Sequence, residues 1–231
     1  MYRSLNAEKI ADTVGNLKSR IQERFPGSGL SRVAKELEDV AHESVSRSKW
    51  VAKPIMPLRL GVGLLVTVML AVLVAAFLQL NLKATVNEVG SLLQMLQAGI
   101  DDIVFMGIGI YFLVTLEARI KRKVVLRAMH ELRSLAHIVD THQLTKDPEV
   151  LLRPGSSTPS SPVRTMTAFE LSRYLDYCSE MLSLLGKIAA LYVQEFDDPT
   201  VLDAVDDMED LTIGLARKIW QKIALLNRFR S

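Results

Sequence analysis

Apolar residues recur along most of this chain at alternating steps of three and four, and no stretch shows strand-like alternation of period two bounded by turns. In residues 6–25 the repeat places Ile10, Val14, Leu17 and Ile21 on one stripe of a helix. The PGSG stretch at 26–29 ends it, and Leu30, Val33, Leu37 and Val40 start a second stripe that runs to about Ser48. The two predict an antiparallel helical pair. Further on, Val125, Met129, Leu132, Ala136 and Val139 keep the spacing without proline or glycine, which predicts a helix ending near Thr145. Thr167 followed by Glu170 reads as a capping box. Behind it Leu171, Leu175, Cys178, Leu182, Leu185, Ala189 and Tyr192 form the cleanest stripe in the chain. Asp198 and Pro199 supply a cap and a first-turn proline for a last helix, whose apolar face is Val205, Met208, Leu215, Ile219, Ile223 and Leu226. The fold class predicted is all-α.

Two segments break the amphipathic pattern. Between Arg59 and Lys83 lie 23 uncharged residues, enough helix at about 1.5 Å per residue to cross a hydrocarbon layer of about 30 Å. Lys49, Trp50, Lys53 and Arg59 precede this run as interfacial anchors, and Pro54 and Pro57 separate it from the polar helix before it. The second run, 103–116, has 14 uncharged residues and covers only about 21 Å. Glu117, Arg119, Lys121, Arg122 and Lys123 block its extension forward, so a spanning helix must reach backward through Asp102 and Asp101 toward Gln94. The chain then reads as an integral membrane protein: a two-span helical hairpin, with spans at about 60–82 and 97–118, and a cytoplasmic helical bundle.

The segments expected are an N-terminal helical pair at 1–53, the hairpin at 54–118, a cytoplasmic continuation of the second span as one rod at 119–146, a Pro/Ser-rich linker at 147–166 and a C-terminal helical pair at 167–231. Within the linker, PGSSTPSSP at 154–162 has the composition of a flexible loop.

Charge decides the orientation. Arg47, Lys49, Lys53 and Arg59 precede the first span, Arg119, Lys121, Arg122, Lys123 and Arg127 follow the second, and the connection holds only Lys83. The positive-inside bias puts both termini in the cytoplasm and the hairpin in the inner membrane. The net charge of +2 is too small to argue for nucleic acid. A single cysteine, Cys178, allows no internal disulfide and fits a reducing compartment. The polar first fifty residues lack the apolar core of a cleavable secretory signal, so insertion is expected to be directed by an internal span.

Gly63, Thr67, Ala71 and Ala75 line one face of the first span, where small residues let another helix approach, either Gly107 and Gly109 of the second span or a second protomer. Arg119, Lys121, Arg122, Lys123 and Arg127 are candidates for lipid headgroup contact. Asp101 and Asp102 are the candidate mouth of a pore in an oligomer. His130, His137 and Asp140 share a helix at spacings that admit a metal, without an established zinc pattern, so solvated or packed histidines are the plainer reading. Residues 195–210 carry eight acids and no Lys or Arg, and the basic tail of Arg217, Lys218, Lys222, Arg228 and Arg230 offers them a partner between neighbouring chains. No EF-hand, Walker or nucleophile motif is present, so no catalytic residue and no cofactor are expected. The expected function is a non-enzymatic membrane scaffold whose partners are the lipid bilayer and a homo-oligomer or helical protein. An oligomeric cation channel or transport accessory with an acidic outer mouth is the alternative.

Overall fold

A computed structural model describes residues 4–79, 89–148, 159–161, 165–194 and 196–228. Among them there are helices and no strand: α1 (Ala7–Arg24), α2 (Gly29–Ala52), α3 (Met56–Gln79), α4 (Val89–Val114), α5 (Leu116–Leu144), α6 (Ala168–Ala190) and α7 (Pro199–Arg228). The all-α expectation holds for these residues. Lys83, most of the 154–162 loop, Glu195 and Arg230 lie outside them.

The chain divides into two compact units, 1–52 with 122–231, and 53–121. In the first, α1 and α2 pack as a pair through Ile10, Val14, Leu17 and Ile21 against Leu30, Val33 and Leu37. Asn6 caps α1 by accepting from the Lys9 amide at 2.9 Å. Gly27 makes the turn at its other end with φ +69°, a conformation open to glycine. Phe25, at that end, meets the rings of Tyr174 and Tyr177 of α6 edge-on, with centroids 5.4 and 6.3 Å away.

α6 is the central helix of this unit. It opens on the capping box, with the Glu170 amide donating to Thr167 Oγ1 at 3.2 Å and the Thr167 amide to the Glu170 carboxylate at 2.8 Å. Besides the stripe that begins at Leu171, it buries Tyr174, Tyr177, Met181, Leu184, Gly186 and Ile188. Two faces are therefore covered, one by α7 and one by α1 and α2. The helical pairs at the two ends of the sequence thus share one hydrophobic core, joined by Val125, Leu132, Ala136 and Val139 of α5.

The second unit differs in kind. By length and composition, α3 suffices to cross a membrane, and none of its apolar stretch is buried within the chain. α4 meets that standard only when joined to α5 across a kink at Thr115. The expectation of one unbroken rod is corrected here: α4 ends at Val114 and α5 starts at Leu116, and at the break between them the Thr115 hydroxyl donates back to the carbonyls of Tyr111 at 2.8 Å and Phe112 at 3.2 Å. Helix α4 does extend backward through Asp101 and Asp102, starting at Val89.

Candidate functional site

The expected lipid-facing cations serve different ends. Glu117 sits half-buried and accepts from Arg59 Nε at 2.6 Å and Lys121 Nζ at 2.9 Å, while the Ile55 amide donates to it at 3.3 Å. One carboxylate thereby ties the start of α3 to the start of α5, and Lys121 is buried. Arg122 donates through Nε and Nη2 to both oxygens of Asp198, at 2.7–3.0 Å. Arg119 stacks over the Phe112 ring, 4.6 Å from its centroid. Lys123 and Arg127 are exposed. Two of the five cations, Lys121 and Arg122, are thus held by protein carboxylates, Lys121 buried and Arg122 still partly exposed, a choice of partner that the local cluster of charge does not reveal.

Asp198 does two jobs. Its Oδ1 also accepts the amides of Thr200 at 3.1 Å and Val201 at 3.2 Å, capping α7. Further along the bundle Arg133 reaches Asp207 at 3.6 Å. Acids of the 195–210 cluster therefore find partners on α5 within the same chain.

In the 53–121 unit, Gly63, Thr67, Ala71 and Ala75 are all exposed. The half-buried face of α3 is instead Val62, Val66, Met69 and Leu73, and on α4 it is Met106, Gly109, Ile110 and Leu113. Gly109 receives the Met69 methyl, which would stand 3.3 Å from a Cβ added there. Gly107 meets nothing within 4 Å. The small-residue stripe is thus turned away from α4, a correction to the pairing with Gly107 and Gly109. Asp101 is exposed in mid-helix, and the side chain of Asp102 lies outside those described.

His130 and His137 point to solvent, and Asp140 accepts from Gln143 Nε2 at 2.7 Å. No group of three or more metal-ligating side chains forms among the described residues. Gln143 is itself buried and receives Lys222 Nζ on its side-chain oxygen at 2.6 Å and its carbonyl at 2.9 Å. Burial holds the Lys222 ammonium below its usual value, against the pull of Asp147 and Asp140. Burial also pushes the Cys178 thiol up to about 12, so this cysteine is a core side chain rather than a nucleophile.

One surface feature escaped the sequence reading. α6 and α7 leave between their outer faces a groove of about 760 Å³. On α6 it is lined by Ser179, Ser183 and Gly186 with Glu180 and Lys187 beside them, and on α7 by Ile213, Ala216 and Trp220 between Glu209 and Arg217. Ile213 is 55% and Trp220 59% exposed, and the two lie on one side of the same groove. The signal was available in two secondary stripes, Ser179, Ser183 and Gly186 at steps of four and three and Ile213, Ala216 and Trp220 at steps of three and four. Each was overshadowed by the larger stripe on the same helix.

Compared with protein-family models, curated proteins and solved structures, the chain matches none.

Proposed function

We propose that this chain is a non-enzymatic membrane scaffold: α3 and α4 form a two-span hairpin in the inner membrane, both termini are cytoplasmic, and the helical bundle self-associates or recruits helical partners. The observation that carries the reading is the contrast between the units. One has a continuous core drawn from five helices, whereas α3 leaves its apolar residues uncovered, among them Leu60, Leu64, Val72 and Leu78. A water-soluble chain buries such a helix; a bilayer covers it without any protein partner.

The acids favour a second reading, a cation channel or transport accessory. Along the helix Asp101 is 16 residues before Glu117, or about 24 Å. If the Arg59–Glu117 pair marks one edge of a hydrocarbon layer of about 30 Å, both acids fall inside the opposite edge, where ionisable groups are costly and usually functional.

One preparation tests both. Purified protein reconstituted in lipid vesicles at verified orientation is expected to cross-link into oligomers and to conduct no cations. Strictly monomeric protein that enriches no partner overturns the scaffold. Cation conductance whose selectivity changes on Asp102→Asn replaces it with the channel.

A further inference from the structure

We infer that the α6/α7 groove is an interface between two copies of this chain, formed by antiparallel packing of α7 on α7 about a two-fold axis at Ile213. The inference rests on the self-association proposed above and names the surface that performs it.

The first argument is the shape of the groove. It carries large apolar side chains on its α7 side and Ser179, Ser183 and Gly186 on its α6 side, where Glu180 is held by Arg20 and Lys187 by Ser183, so one face offers both the knob and the hole. Gly186 packs closely on α7: a Cβ there would stand 3.1 Å from Thr212 Oγ1. A two-fold axis brings the same patch to both sides of an interface, which favours a patch that complements itself.

The second argument is charge, and it selects the occupant. Asp207 and Lys222 of α7 are engaged with Arg133 and Gln143 of α5; of the other charges before Arg228, the first half of α7 carries Asp203, Asp206, Glu209 and Asp210 without a base and the second half Arg217 and Lys218 without an acid. Parallel copies of such a helix laid side by side repel at both ends, while antiparallel copies attract at both. Glu209 and Arg217 both line the groove, and neither has a salt-bridge partner among the described residues. Ile213 lies midway between them, four residues from each. An axis through Ile213 therefore sets Glu209 against Arg217 of the other copy twice, buries the two Ile213 side chains at the centre, and carries each Trp220 toward the far end of the other copy's groove. A partner of uniform charge would satisfy one end of this helix and oppose the other.

The full-length protein in detergent provides the test. Because Cys178 is buried, Ile213→Cys adds the one exposed thiol among the described residues. Mild oxidation is expected to give a disulfide-linked dimer from Ile213→Cys and none from Leu202→Cys, whose two copies would be separated by about 33 Å along the paired helices. Glu209→Lys and Arg217→Glu are each expected to raise the dimer dissociation constant about tenfold, since each replaces two attractions with two repulsions. The double variant returns it toward the wild-type value. All these positions are on the outer face, and an unchanged helical circular dichroism spectrum verifies the fold. A wild-type dimer that ignores both charge reversals and yields no Ile213→Cys cross-link overturns this interface while self-association stands. A wild-type chain that is monomeric at every concentration overturns self-association as well.

Discussion

His142 shows how a residue can be polar by type and yet contribute to stability by staying neutral. Its imidazole lies against Gly29 at the start of α2, where a Cβ would stand 3.1 Å from Nδ1 and collide with Cε1. Burial, with Arg32 and Lys146 nearby, holds His142 below the usual histidine value. The folded chain therefore resists a proton that the unfolded chain takes up near pH 6.5. Above that pH both states are neutral there and the site adds no pH dependence; as the pH falls below it, protonation favours the unfolded chain. Thermal unfolding of the detergent-solubilised protein is expected at lower temperature at pH 5.5 than at pH 7. His142→Gln, which cannot titrate, is expected to lose less over the same interval, and equal losses in the two proteins would show that other groups set the acid sensitivity.

At the scale of elements, the caps and ties decide how helices are held together. Asp198 ends one helix's list of orphan amides and anchors another helix through Arg122. Asp198→Ala removes both interactions and leaves the guanidinium without its carboxylate. The expected loss is about 2–3 kcal/mol, the sum of a helix cap and a charge-assisted hydrogen bond, measurable by chemical denaturation followed by circular dichroism. Asp203→Ala, in an exposed position one turn along the same helix, is the matched control and is expected to change stability by less than about 0.5 kcal/mol. The cap at Asp198 was legible because an acid before a proline carries a local signature. Its second partner was not, because Arg122 lies 76 residues away and belongs to a cluster whose members look alike in sequence.

For the whole molecule, the division into two units states what each requires of its surroundings. The five-helix unit has a buried apolar core of its own, and the 53–121 unit leaves much of its apolar surface exposed. Membranes from cells producing the protein are expected to retain it through an alkaline carbonate wash and to release it with detergent, as immunoblotting of the two fractions would show. Release by carbonate alone would mean that the apolar faces of α3 and α4 are covered by protein instead of lipid.

The helices, several of their caps and the uncharged apolar stretch were determined by the sequence itself, because each is a property of residues near one another along the chain. Spacing of apolar residues fixes a helical face, Thr167 with Glu170 and Asp198 with Pro199 fix two starts, and the residues between Arg59 and Lys83 have no charge to bury. Tertiary structure alone decided which faces meet. It made α6 central by burying a second face, turned Gly63, Thr67, Ala71 and Ala75 away from α4 while Met69 took the place at Gly109, and assigned Lys121 and Arg122 to carboxylates. It also left Ile213 and Trp220 uncovered beside Ser179, Ser183 and Gly186. Those outcomes rest on the competition among several apolar stripes and several like charges for the same partners, and a choice among equivalents is settled only when the helices are packed in three dimensions.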